Sequence, residues 1–375
     1  MRLVGLTSLG LFLASTEAVT NLSIGTCEEL QDAAQATSSD EVVGELINGG
    51  VSCDAWTTFE IAANRLKLVA PDGSSSANVF VFNNVRFLVA SAATLRVLPM
   101  VELTGGDVSQ EVNGGVLNVA EGGRVRFKSK AYMHDVKVSS VTDEGSDFSS
   151  DQWFGGCVYN QGILRFDDGL DAADCFTDGG GESAPGDGSG IWNGETGQVV
   201  MKGDVTFTDC GTRSINGNNG GAIYNAGKFT VFDPANFTGN RSSAGGAIFN
   251  IGVLKFLKNS SAVFSGSRAS DTGGGHVKNQ TPGTMLFNGG ASFTDGFSED
   301  SGGAIWNDGT LRISKSAVFI DNGASSDGGA IFTRATSELS LPEDTVFEAN
   351  FVSSPNFSDC ENIYSFTDDS FECLP

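Results

Sequence analysis

Gly220-Gly221-Ala222-Ile223-Tyr224-Asn225 decides the fold, because the chain keeps returning to it. It recurs as Gly245-Gly246-Ala247-Ile248-Phe249-Asn250, Gly302-Gly303-Ala304-Ile305-Trp306-Asn307 and Gly328-Gly329-Ala330-Ile331-Phe332-Thr333. Looser copies are Gly155-Gly156-Cys157-Val158-Tyr159-Asn160, Ser189-Gly190-Ile191-Trp192-Asn193 and Gly274-Gly275-His276-Val277-Lys278-Asn279. The closing Asn or Thr falls at 160, 193, 225, 250, 279, 307 and 333, in steps of 25 to 33 residues. A period in that range predicts a solenoid.

Outward from the motif, each repeat holds two further short segments. One follows the Asn, as in Phe229-Thr230-Val231 or Leu254-Lys255-Phe256. The other ends in Phe, at 176, 207, 237, 264, 293, 319 and 347. Three short strands per repeat with no helical period predict an all-β fold, a three-sided parallel β-helix. Nine or ten rungs at ~4.8 Å would make a rod about 45 Å long. The Gly pair suits a corner with positive φ and close backbones. His276 and Lys278 occupy the Ala and aromatic positions of their repeat. Two polar residues are costly in a dry core, so the Ala and aromatic positions are expected to face out. Ile223 and its equivalents then face in, and the Asn turns inward to hydrogen-bond along the axis.

Residues 1–18 read as a signal peptide: Arg2, an apolar run from Leu3 to Ala14, and Thr16-Glu17-Ala18 as a cleavage site. Residues 19–56 form an expected N-terminal cap, in which Thr26 and Glu29 make a capping box for a short helix. The β-helix is expected over 57–350. Residues 351–375 read as a last half-rung, with Ile363-Tyr364 aligned on Ile331-Phe332, and a disulfide-closed cap.

The formal net charge is -24, from 22 Lys and Arg against 46 Asp and Glu. That balance disfavours nucleic acid, whose phosphates need cations to replace counterions. No later apolar run is long enough to span a membrane, so a secreted, extracellular or cell-surface protein is expected. Six sequons, at Asn21, Asn236, Asn240, Asn259, Asn279 and Asn356, fit a glycoprotein; Asn279 lies in the inner Asn row and would be a poor acceptor. Of seven cysteines, Cys27 is expected to pair with Cys53, and Cys360 with Cys373. Cys157, Cys175 and Cys210 stay open. Aligned on Phe176 and Phe207, Cys175 and Cys210 fall four residues apart, too far for a bridge. An odd set leaves at least one thiol.

The Gly-Gly-Ala-Ile tetrads alternate with Phe237-Thr238-Gly239-Asn240, Phe319-Ile320-Asp321-Asn322 and Phe347-Glu348-Ala349-Asn350. This alternation, over about residues 113–364, resembles the polymorphic outer-membrane protein repeats, which combine a GGAI-type and an F-x-x-N motif. The resemblance implies a right-handed parallel β-helix (solenoid) of the pectin-lyase-like type and a role in adhesion. No C-terminal stretch matches the membrane β-barrel of the bacterial proteins, so a passenger alone is expected.

Three places could carry function. The first is the expected outward row Tyr159, Trp192, Tyr224, Phe249, Trp306, Phe332 and Tyr364, interrupted by Lys278; such a stripe could stack on sugars or a partner, or simply stabilise the sheet. The second is His276 with Lys278, near Asp271, Lys255 and Arg312, as a cationic patch for an acidic polysaccharide or as weak catalytic candidates. The third is the Gly- and acid-rich corner 178–187 with Asp167, Asp168 and Asp171, where calcium is conceivable; no metal or other cofactor is otherwise indicated. No zinc spacing, nucleophile elbow or phosphate loop occurs. The expected function is a secreted, non-catalytic β-helical adhesin or matrix scaffold with extracellular glycans or cell-surface proteins as partners. The alternative is a polysaccharide lyase, hydrolase or epimerase.

Overall fold

A computed structural model describes residues 20–36, 41–47, 49–61, 65–71, 79–108, 113–139, 153–178, 186–212, 218–353, 362–367 and 370–374. The segments expected as strands stack in register as a parallel β-solenoid. One side is an uninterrupted sheet of twelve parallel strands, from Thr20–Ile24 through Lys228–Val231 to Glu338–Ser340. At about 4.8 Å per step it spans about 53 Å. It is longer than the repeats alone predict, because Thr20–Ile24 and Glu41–Leu46 already belong to it. The motif strands, such as Ile223–Asn225, make a second side. The Phe strands, such as Ala235–Thr238, make a third.

The third side is bent, a feature the sequence reading missed. Two residues beyond each Phe, the chain takes a left-handed conformation at Asp209, Gly239, Gly266, Asp295, Asp321 and Ala349, with φ between 51° and 66°. Asp and Gly suit that region best. A two-residue strand then follows, as at Arg241–Ser242 and Arg268–Ala269. This explains the F-x-x-N motif: Phe enters the core, the third residue makes the bend, and Asn turns inward beneath it. Asn322 Nδ2 donates to Phe293 O at 3.0 Å, and its Oδ1 accepts from Gly296 N at 3.0 Å. Asn240 and Asn350 bridge neighbouring rungs in the same manner.

The motif Asn residues form the expected axial ladder. Nδ2 of Asn160, Asn193, Asn225, Asn250 and Asn279 each donates to Oδ1 of the next Asn at 2.7–2.8 Å. Asn307 ends the run on Thr333 Oγ1 at 3.4 Å. All six Asn are fully buried. The ladder is polar, and its first acceptor, Asn160 Oδ1, has no partner, because Val119 occupies the preceding place. The Gly pairs behave as expected. The first Gly has positive φ, as at Gly220 (68°), while a Cβ on the second, Gly221, would lie 2.3 Å from Gly246 O.

Phe207, Phe237, Phe264, Phe293 and Phe319 fill the core as a stack with centroids 4.7–5.4 Å apart. Phe176 is not in this row. Ala172 takes its place opposite Phe207, which sets Cys175 in register with Cys210. The four-residue offset expected between those cysteines is therefore incorrect. Cys175 bonds instead to Cys157, and Cys210 is a buried free thiol whose pKa burial pushes up to about 12.

Cys27 pairs with Cys53 as expected. The capping box is present on the helix Cys27–Gln35, which buries Leu30, Ala33 and Ala34 on the core. At the other end Ile363 pairs with Ile331, and Ser370–Leu374 folds back antiparallel on Ile363–Thr367. The expected Cys360–Cys373 bridge, the signal peptide and Asn356 lie outside the described residues or side chains. Asn240 as well as Asn279 is buried, whereas Asn21, Asn236 and Asn259 are exposed. No helix among the described residues is long and apolar enough to cross a membrane.

The ladder yields a test. Asn250→Ala would strand Asn225 Nδ2 and Asn279 Oδ1 in the dry interior, at about 1–3 kcal/mol for each buried unpaired group. Denaturant unfolding should show a loss of about 2–5 kcal/mol; a loss below about 1 kcal/mol would mean that the ladder contributes little.

Candidate binding site

The aromatic row forms, but as a partly covered stack rather than an open stripe. Tyr159, Trp192, Tyr224 and Phe249 lie nearly parallel at 4.5–5.9 Å between centroids. Trp306, Phe332 and Tyr364 continue it at 5.6–5.8 Å. The row stands outside the Phe core, as expected. Phe249, Trp306 and Tyr364 are nevertheless only 3–6% exposed. The preceding corner loop lies over Trp306: a Cβ on Gly273 would sit 2.8 Å from Cδ1 of that ring. At these three rings the arrangement favours ladder stabilisation over ligand contact, while Tyr159, Trp192, Tyr224 and Phe332 are half-buried.

His276 and Lys278 are not a pair. The Ala position does not face out as expected: Ala222, Ala247, Ala304, Ala330 and His276 are all fully buried, because that position lies at the corner. His276 packs between the Phe264 and Phe293 rings. Its Nε2 lies 3.1 Å from Thr294 O, while Nδ1 has no partner. Burial pushes its pKa down to about 3, so the ring is neutral. Its space comes from Gly296, where a Cβ would fall 2.5 Å from the imidazole. Other rungs carry Asn240, Asn322 or Asn350 at the position of Gly296. The ring therefore fills a space that Asn fills elsewhere, and no substrate reaches it.

Lys278 points the other way. Its Nζ donates to Thr272 O at 2.6 Å and sits 4.4 Å from the Trp306 centroid. Burial lowers its pKa to about 8. The expected patch does not assemble around it. Lys255 and Arg312 are separated by Leu286, and Arg312 is bonded to Glu338.

Of the acidic corner, residues 179–185 lie outside the described residues, while Asp167 and Asp171 beside it are engaged. Burial alone would raise the Asp167 pKa, but hydrogen bonds from Lys128, Arg165 and Arg126 hold it well below the carboxylate range. Asp171 accepts from Thr206 Oγ1 at 2.6 Å. Among the described residues no three His, Cys, Asp or Glu are grouped to hold a metal.

A different surface emerges on the long sheet. Lys67, Arg96, Arg126 and Arg165 sit directly opposite one another on four successive strands. Arg65 and Arg124 project from the same face, with Lys128 at its edge. These seven are about a third of the 22 Lys and Arg in a chain of charge -24, so the face is a concentrated exception. Like charges opposite each other destabilise a sheet. Relief is partial: Glu41 lies 3.9 Å from Lys67, and Asp167 binds Arg126, Lys128 and Arg165. Among the described residues, Arg96 and Arg124 have no ion-pair partner. The signal was present as the central cation of Leu66-Lys67-Leu68, Leu95-Arg96-Val97, Val125-Arg126-Phe127 and Leu164-Arg165-Phe166. Reading it required the register between rungs, which the irregular spacing of the N-terminal half conceals.

The His276 site yields a compensation test. His276→Ala should cost about 2–4 kcal/mol through the cavity left. Adding Gly296→Asn restores the pattern of the other rungs and should recover most of it. The linkage sign follows from a depressed folded pKa: the contribution of His276 is present above its unfolded value of 6.5 and is lost as pH falls towards 3. The double variant should lack that part of the acid sensitivity, as read by thermal unfolding against pH. Failure of Gly296→Asn to rescue would refute the exchange of roles.

In comparisons with protein-family models, curated proteins and solved structures, nothing matches this chain.

Proposed function

We propose that this protein is a secreted, non-catalytic binding scaffold that presents the outer face of its long sheet to linear acidic polysaccharides. The carrying observation is the cation ladder Lys67–Arg96–Arg126–Arg165, with one positive charge per rung. A rigid row at about 4.8 Å spacing suits a polymer with regularly repeated carboxylates or sulfates. Its cross-strand repulsion is relieved when such a polymer supplies the missing negative charge. Export through residues 1–18 and kinship with the polymorphic outer-membrane repeats belong to the same proposal, as does a role in attachment to surfaces or matrix. The catalytic alternative loses its best residue, because His276 is enclosed in the core.

The test uses the purified protein with a polyuronate. Retention of the polymer, weakening as salt rises, with its chain length unchanged, is the expected result. Arg96→Glu with Arg124→Glu should reduce retention at least tenfold, since neither residue holds an ion pair among the described residues. Retention indifferent to that charge reversal would overturn the assignment to this face, and shortening of the polymer would overturn the non-catalytic reading.

A further inference from the structure

A second concave surface lies on the opposite flank of the bend and owes nothing to the cation ladder. The outward row of the two-residue strands runs Phe176, Gly211, Arg241, Arg268, Phe297 on successive rungs. Gly211 packs closely on the Arg241 backbone and carries no side chain, and Phe176, Gly211 and Arg241 line one groove with Arg268 and Phe297. Its volume is about 580 Å³, in the size range of small-ligand sites.

Charge is arranged unevenly around it. The left-handed bend position carries Asp174, Asp209, Asp295 and Asp321, but Gly239 and Gly266 on the two rungs that bear the arginines. The carboxylates that could neutralise Arg241 and Arg268 from their own rungs are therefore missing. A Cβ at Gly266 would meet nothing nearer than Asp295 Oδ2 at 3.9 Å, so that space is open. Both arginines are exposed and have no ion-pair partner among the described residues. They are paired in register on adjacent parallel strands, and the Arg268 guanidinium lies 5.7 Å from the Phe297 centroid. Two neighbouring guanidinium forks can clamp a single planar anion. Phe176 and Phe297 bound the row with apolar rings. Asp174, Asp209 and Glu299 line the groove beside them as acceptors.

The geometry points to a binding site for a saccharide unit carrying one carboxylate. Its carboxylate lies between Arg241 and Arg268, a ring face rests on Phe297, and its hydroxyls donate to Asp209 or Glu299. The rim carboxylates exclude a polymer with an acid on every unit, and equally a multiply acidic peptide. A single acidic group on an otherwise neutral, hydroxylated chain satisfies both halves of the groove. This separates the site from the long-sheet face, which suits repeated charge.

The experiment titrates the full mature chain with two oligosaccharides of equal length, one neutral and one ending in a single uronic acid. Calorimetry should give saturable binding of the uronate form only. Arg241→Gln and Arg268→Gln should each weaken it at least tenfold, with unfolding transitions unchanged because both side chains are exposed. Arg96→Glu with Arg124→Glu should leave it intact, so that failure on the long sheet and failure here are distinguishable. Absent binding, equal binding of the neutral oligosaccharide, tighter binding of an acidic peptide, or loss of binding only in the Arg96 and Arg124 variant would each overturn the assignment.

Discussion

The stacked Asn amides of the motif rows constrain everything else. Each amide must find its donor and acceptor on the rungs before and after it, in a dry interior where an unpaired group is expensive. A rung can therefore slip neither along the strand nor by one rung without breaking a run of bonds. Fixed register is what turns a residue on one repeat into a neighbour of the same residue on the next. Phe stacks, aromatic stacks and cation ladders are consequences of it. Under the left-handed bend, Asn240, Asn322 and Asn350 add side chain to backbone bonds that tie their own rungs to the preceding ones.

His276 shows how tightly these demands are coupled. An imidazole replaces Ala in one repeat, and Gly296 replaces Asn where the ring lies. The ring is accommodated by a pair of changes 20 residues apart in sequence. Read singly, each change suggests loss of structure or gain of chemistry. Read in register, they are one packing solution.

Much of the architecture was legible because its signals are local and repeated. Gly-Gly-Ala-Ile-aromatic-Asn states the corner, the core position and the ladder within six residues. The capping box of Thr26 and Glu29 is equally local. Facing at the corner was not legible: Ala222 and Ile223 are consecutive and both buried, because a turning backbone breaks the period of two that governs a straight strand. Phe176 misled for a related reason. It mimics the Phe row, yet the longer rung places Ala172 there, and the cysteine register shifts with it. The surfaces proposed to bind ligands were least legible. They are made of residues 20 to 40 apart that become a row only after the rungs are aligned. Charge separates the two surfaces: one sheet face repeats a cation on four successive rungs, while the groove offers two cations framed by acids.

Side-chain amide hydrogen exchange, resolved by NMR on the native protein, tests the central constraint most directly. Nδ2 protons of Asn193, Asn225, Asn250 and Asn279 should exchange as slowly as the backbone amides of their own strands, and together. Exchange as fast as that of the exposed Asn236 amide would contradict an axial ladder that holds the rungs in register.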